Sequence, residues 1–419
     1  MENKLLIGYD FGKRYTQISC FNRETLEPDT IGMGEGTDSF LIPTVLGVTK
    51  ESHEWLFGTE AIKKASKDEA ELIEDFWNAA KNGKGIKIYG KEFSSESLLE
   101  KFFRKTLALL TAYYPNGKIE KLVLAVEELE VSLITAIYTA MEAMGLHRDR
   151  LSIISRMQSY FYYALSQKKE LWMNDVGLFD YSEDGLKYYQ LSLNRMEDPM
   201  IGGVSCKDFS NTMDYHMLSD PQEFDQLPIL FSNIAQTVLH RQIVSTLYMT
   251  GKGFSGNWAN DIFRSLCVGR RVFKGMNIYC AGACFAAREL TVETKIPFLF
   301  FGDGVLHHEI SIAGTAYGKD VEITMAEPAK PWYEQKAEVE LISDGAEEME
   351  VFIRDILKKE EIVRNIPLTG MPKRPERMTR LFVELQFLDE HHFVIMIHDR
   401  GFGEFYVSSD RIWEKIVEI

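Results

Sequence analysis

Asp10 stands at the end of an apolar run, Leu5-Leu6-Ile7-Gly8-Tyr9, and is followed at once by Phe11-Gly12. A carboxylate at the exit of a buried strand can hold a metal-bound water, and a glycine two residues on lets backbone N–H groups approach a phosphate. The run Val176-Gly177-Leu178-Phe179-Asp180 again delivers an Asp to a strand exit. Two such carboxylates facing one cleft are what a Mg²⁺–water cluster needs, which makes Asp10 and Asp180 the candidate metal-binding and catalytic pair. The alternative is that both cap turns. Lys13 and Arg14 follow the first turn and are either cationic contacts to a phosphate or a solvated turn. A third turn, Thr250-Gly251-Lys252-Gly253-Phe254, carries two glycines that admit an adenosine face or serve a plain strand-to-helix turn. The pairs His307-His308 and His391-His392 do not read as metal sites, because adjacent residues on a strand point to opposite faces.

To hold such residues the chain needs strands that end in turns and helices that cross back. Apolar spacing predicts strands at 5–12, 16–21, 40–48 and 55–57. Composition predicts helix over 60–81, and a further helix begins near Ser94 or Ser95, with Leu98, Leu99, Phe102, Phe103, Leu107 and Leu110 at helical spacing. A strand at 121–126, a helix over about 128–144 closing on Gly145, and a strand at 151–154 make a βαβ unit. A helix over 158–171, whose Tyr160, Phe161, Tyr162 and Tyr163 read as core, leads to the strand ending in Asp180. Two strand-to-Asp turns about one subdomain apart are the organisation of an internally duplicated nucleotide fold. Residues 205–275 read as mostly helical around a strand at 245–249. Beyond about 310, runs at 338–342, 349–354, 362–366, 380–388, 392–398 and 402–407 alternate with turn signals and predict a separate β-sandwich. Gly401-Phe402-Gly403 with Phe405 and Tyr406 is either a partner-docking edge or a hairpin with buried aromatics.

With 419 residues the chain is too long for one ordinary core. Apolar content of 45% against 26% charged residues is that of a globular protein. Five scattered cysteines without C-x-x-C spacing argue against a disulfide framework or a zinc site. A net charge of −16 disfavours nucleic acid and anionic membranes as partners. The absence of a leader-like or spanning apolar segment predicts a cytoplasmic location.

Taken in order, these pieces resemble the heat-shock protein 70 chaperones of the DnaK type, within the actin-like ATPase superfamily. Ile7-Gly8-Tyr9-Asp10-Phe11-Gly12 is similar to the family's first phosphate loop, and Val176 to Asp180 lies in the place of the second. Phe40 to Val45 with Leu56 to Ala61 is similar to the P-S-V…G-x-x-A segment, Leu247 to Phe254 to the adenosine loop, and Asn277 to Ala287, with Gly282, to the helix after it. The run from Ile366 to Gly403 is similar to the end of the substrate-binding sandwich. The resemblance implies an actin-like, duplicated (ribonuclease H-like) α/β domain over 1–310 and a β-sandwich over 311–419 without a helical lid. It also implies ATP or ADP with Mg²⁺ in an interlobe cleft, held by Asp10, Asp180, Gly12, Lys13, Arg14, Gly185, Gly251, Lys252, Gly253 and Gly282. A peptide or protein partner would sit on the sandwich.

The departures from that pattern concern the chemistry. The family's second loop is D-x-G-G-G-T; here it reads Asp180-Tyr181-Ser182-Glu183-Asp184-Gly185. Two extra carboxylates repel a phosphate by about 1 to 4 kcal/mol per close contact. Where the family has a Glu before Pro, this chain has Ser155-Arg156-Met157-Gln158, so hydrolysis is expected to be slow or absent. Two readings follow: a divergent DnaK-like protein coupling nucleotide to its sandwich, or a pseudoenzyme scaffold that has lost nucleotide binding. The placement of Ser182-Glu183-Asp184, inside the cleft or swung out, separates them.

Overall fold

The computed structural model describes residues 3–32, 40–291 and 296–419, a mixed α/β arrangement of several sheets. The chain divides into two compact units, Met1–Asp303 and Gly304–Ile419.

The first unit opens with β1 (Asn3–Phe11), β2 (Tyr15–Asn22), β3 (Glu27–Thr30) and β4 (Ile42–Pro43). A small sheet follows, of β5 (Leu46–Thr49), β6 (Trp55–Phe57) and β7 (Ala70–Ile73), and then a hairpin of β8 (Ile86–Ile88) and β9 (Lys91–Phe93). Strands β10 (Gly117–Val126) and β11 (Leu151–Ser155) return to the first sheet. The helices of this half are α1 (Gly58–Ala65), α2 (Phe76–Lys81), α3 (Ser95–Ala108), α4 (Leu110–Tyr113), α5 (Val131–Ala143) and α6 (Arg156–Ser166). The Ser94 side chain caps α3 by accepting from the Ser97 amide, and Ser155 caps α6 by accepting from that of Gln158. The helix expected over 60–81 is two helices separated by β7. Asp68 adopts φ 61° after α1, and Ala70–Ile73 pairs with β5, where Ala70 and Ile73 are buried.

The second half runs through β12 (Asp175–Ser182), β13 (Gly185–Asn194), β14 (Met200–Asp208), β15 (Val244–Thr250), β16 (Arg271–Lys274) and β17 (Phe298–Phe301). Its helices are α7 (Pro221–Phe224), α8 (Leu227–Leu239), α9 (Asn260–Leu266) and α10 (Ile278–Glu289). The expected helical region from 205 therefore begins as the end of β14.

The two six-stranded sheets share one plan. The first is ordered β11-β10-β1-β2-β3, with β4 also paired to β2, and the second β16-β15-β12-β13-β14-β17. In each, the first strand of its half runs parallel to the later strand on one side and antiparallel to its hairpin partner on the other. Asp10 lies opposite Ala125 and Gln17, and Asp180 opposite Thr250 and Lys187, so the two carboxylates occupy equivalent register positions.

Helix α10 is buried along nearly its whole length against β1, β2 and β10. A Cβ on Gly8 would collide with the Cys280 carbonyl, and one on Gly282 with the Ser159 carbonyl of α6. Both approaches are of backbone on backbone, which only glycine permits. Tyr160 and Phe161 of α6 are buried, as their apolar spacing required.

The second unit holds β18 (His308–Ala316), β19 (Lys319–Ala326), β20 (Lys336–Ser343), β21 (Glu348–Asp355), β22 (Glu360–Pro367), β23 (Thr379–Phe387), β24 (His392–Gly401) and β25 (Ile412–Glu418). They form two antiparallel sheets, β19-β18-β21-β22 and β20-β23-β24-β25. Alternate residues of both sheets, among them Ile310, Val351, Ile353, Val383, Ile395 and Trp413, join one apolar core. The strand expected over 402–407 is instead a loop closed by one bridge between Phe402 and Tyr406. Asp399 organises it, accepting from Arg374 at 2.7 and 2.8 Å and from the amides of Gly401 and Ser409, each at 2.9 Å. Among the described residues no helix is long and apolar enough to cross a membrane.

Candidate functional site

Asp10 and Asp180 come together on one cleft of about 500 Å³ within the first unit, which Lys13, Arg14, Gly251 and Lys252 also line. Each aspartate is about 95% buried, because each sits on the central strand of its sheet just before the chain turns out. Gly12 makes that first turn, its amide donating to the Tyr15 carbonyl at 3.2 Å.

Asp10 is already engaged. Arg156, the first residue of α6, donates from Nε to Oδ1 at 2.8 Å and from Nη2 to Oδ2 at 3.0 Å. Its Nη1 lies 2.8 Å from Glu127 Oε1, in the turn after β10. The guanidinium also stacks 4.9 Å from the centre of the Tyr279 ring, and the Tyr279 hydroxyl donates to Asp180 Oδ2 at 2.7 Å. A continuous chain of contacts thus runs from Asp10 through Arg156 and Tyr279 to Asp180. A Cβ on Gly12 would come within 2.6 Å of Arg156 Nη2 and 2.8 Å of Glu127 Oε1, so this glycine makes room for the ion pair.

Burial pushes the Asp10 and Glu127 carboxyls up from their ordinary values, with Arg156 opposing the shift in both. Burial acts against the charge of Arg156 too, but Asp10 and Glu127 outweigh it and hold the guanidinium firmly protonated. Glu127 Oε2 accepts no hydrogen bond among the described residues, which leaves two buried carboxylates on one guanidinium.

Two further cations of the cleft are drawn to protein groups as well. Lys13 Nζ sits 2.6 Å from Glu128, 3.9 Å from Asp184 and 4.0 Å from Glu127. Lys252 Nζ donates to the Tyr15 hydroxyl at 3.0 Å and lies over that ring. Ser182, Glu183 and Asp184 all line the cleft, so the loop turns inward. Among the described residues, seven carboxylates and four basic side chains line it.

Of the other glycines expected at the site, Gly251 lines the cleft and Gly185, Gly253 and Gly282 do not. Gly185, at φ +86°, closes the β12–β13 turn beside Ser210. Gly253 lies flat on the Tyr181 ring, and Gly251, at φ +93°, is pressed against the Tyr181 backbone. The buried Tyr181 packs edge-on to Phe254 and Trp258, filling the space beside these glycines with aromatic rings. Gly282 belongs to the α6–α10 crossing rather than to the cleft wall.

Tested against magnesium and a nucleotide, the donor set fits poorly. A divalent ion with its waters needs carboxylate oxygens that are not already bound. Asp10 gives both to Arg156, Asp180 gives one to Tyr279, and no group of three or more metal-ligating side chains exists among the described residues. The excess of carboxylates also opposes a polyphosphate. Arg156, Glu127, Tyr279 and Tyr15 were not candidates from sequence. Arg156 was noted only as a missing acid; the sign of its charge, next to an expected strand-exit carboxylate, was the available clue.

Fold and site together define a mixed α/β protein with a buried carboxylate–guanidinium pair on the wall of its cleft. Residues 27–303 match the family of unknown function (DUF5716) C-terminal, and the chain belongs to that family. Residues 305–419 match a domain of unknown function (DUF8552), so the two matches meet where the two compact units divide. No curated protein matches the chain.

Proposed function

We propose that residues 1–303 are an actin-like, internally duplicated domain related to the DnaK-type nucleotide-binding domain, and that this chain is a pseudoenzyme scaffold. The duplication is supported by the shared strand order of the two sheets and by the equivalent places of Asp10 and Asp180. Loss of the chemistry rests on one observation above all, the bidentate hold of Arg156 on Asp10. Arg156 supplies from within the chain the positive charge that Mg²⁺ supplies in an ATPase of this fold. A guanidinium cannot carry ordered water to a phosphate, so the substitution keeps cohesion and gives up catalysis. The inward turn of Glu183 and Asp184 works in the same direction.

On this reading the β-sandwich of the second unit is the part that meets a protein or peptide partner. Phe405, 93% exposed, and Val407, 72% exposed, stand on the loop that Asp399 and Arg374 hold in place.

Titration calorimetry of the full chain with ATP and with ADP, each with Mg²⁺, tests the reading. No saturable heat is expected at a protein concentration of about 100 µM, which would detect the micromolar affinities of working nucleotide sites. Saturable binding that Asp10→Asn removes, with the melting curve retained, would overturn the scaffold reading and restore nucleotide coupling.

A further inference from the structure

Strand β22 is the outer strand of its sheet, paired among the described residues with β21 alone. All six residues from Glu360 to Asn365 are exposed, and Ile362 and Val363 keep 43% and 45% of their surface open. A strand with an open backbone edge and apolar side chains on both faces is a template for another strand unless its sequence forbids the pairing.

The order of residues here favours one particular partner. Ile366 is buried in the core, so Glu360, Ile362 and Arg364, at even spacing from it, lie on the core side of the sheet. Ile362 is opposite the buried Ile353 of β21, at the rim of that core. If a second β22 runs antiparallel beside the first, related by a two-fold axis through Ile362, the facing residues have numbers summing to a constant. Glu360 then faces Arg364 of the other copy, Arg364 faces the other Glu360, and the two Ile362 side chains meet between them. Opposite charges and apolar groups directly across an antiparallel pair both stabilise it.

The outer strand of the other sheet behaves differently. In β25, antiparallel self-pairing centred on 413, 414, 415 or 416 sets Arg411 against Lys415, Glu414 against itself, Lys415 against itself, or Glu414 against Glu418. Like charges across a pair are repulsive, so β25 is guarded against its own copy while β22 is matched to it.

We infer that β22 is a homodimerisation edge: two copies of this chain join through antiparallel β22 strands, making one eight-stranded sheet across a two-fold axis with paired Glu360–Arg364 contacts around Ile362. One strand pair is a small interface, so the dissociation constant is expected to be on the order of 100 µM. The inference is independent of the fate of the nucleotide cleft.

Sedimentation velocity of the full chain, from about 10 to about 500 µM at low salt, is the test. The weight-average coefficient is expected to rise toward that of a dimer, and less so in high salt. Arg364→Glu, which sets carboxylates face to face, is expected to weaken association at least tenfold, and Glu360→Arg to do the same. The double exchange Glu360→Arg with Arg364→Glu recreates both pairs with their polarity reversed and is expected to restore the dimer. These side chains are exposed, so the variants should fold, which far-ultraviolet circular dichroism checks. A chain that stays monomeric throughout overturns the inference and leaves the edge to a segment of another protein. A dimer indifferent to Arg364→Glu, or one not restored by the double exchange, overturns it as well.

Discussion

Arg156 begins helix α6, the end at which a positive side chain is least favoured by the helix dipole. It is held there by Asp10 and Glu127, and among the described residues neither carboxylate has another cation as close. Removing one partner of a buried ion pair costs far more than the pair contributes, because the remaining charge loses both solvent and counter-ion. We therefore expect Arg156→Ala to lower the stability of the first unit by about 3 to 5 kcal/mol. Arg156→Lys should recover only part of this, since an ammonium cannot bridge both Asp10 oxygens as the planar fork does. A triple variant, Arg156→Met with Asp10→Asn and Glu127→Gln, should lie closer to the native protein than Arg156→Ala does. Urea unfolding followed by fluorescence measures all three; a loss below about 1 kcal/mol for Arg156→Ala would show the pair to be incidental.

At the scale of elements, the α6–α10 crossing is the joint that sets the cleft, since α6 carries Arg156 and α10 carries Tyr279. Gly282→Ala would drive a methyl group into the Ser159 carbonyl, a backbone atom that moves only with its helix. We expect a loss of about 3 kcal/mol or more, the upper range of overpacking. By contrast Gly203→Ala, whose nearest neighbour would be the Phe301 carbonyl at 3.9 Å, should stay within about 1 kcal/mol; thermal melts of the two variants decide it. Elements such as these explain how far the sequence could be read. Strands 5–12 and 121–126 and the Asp180 strand were legible because their apolar runs are continuous and end in a carboxylate or a turn. The pair β13 and β14 was not, because Gly185–Asn194 keeps no regular alternation, with Lys187 and Gln190 interrupting its apolar residues, and Gly202 and Gly203 dilute β14. The meeting of Asp10 with Asp180 followed from two similar strand ends. The insertion of Arg156 between Asp10 and Glu127 did not, since it depends on how α6 leaves β11, a matter of tertiary packing that no local pattern records.

For the molecule as a whole, the response to acid differs between its parts, and the second unit carries the clearest sign. His307 and His308 precede and open β18, facing Asp355, Glu390, Lys358 and His391. Burial pushes both imidazoles below their ordinary value near 6.5, with Asp355 opposing it. A group with a depressed folded value contributes stability that is complete above its unfolded value and is lost as pH falls through the folded one. The unfolded chain binds those protons first, so the second unit should weaken on going from pH 7.5 to 5.5. Asp399 follows at lower pH: burial acts against its charge, but Arg374, Ser409 and Gly401 outweigh that and hold it far below the usual carboxylate range. Its contribution is present above about pH 4 and lost below. The first unit is mixed: burial shifts Asp10 and Glu127 the other way, whereas for Glu128 and Asp208 burial is outweighed, by Lys13 with Lys81 and by Ser210 respectively, and both are held below their ordinary values. Scanning calorimetry of the full chain at pH 7.5 and 5.5 should show a transition that moves down in acid. The double variant His307→Gln with His308→Gln should flatten that movement, which assigns the transition to the second unit. A transition that rises on acidification, or a pH response unchanged in the double variant, would show that these imidazoles are not the groups the fold keeps neutral.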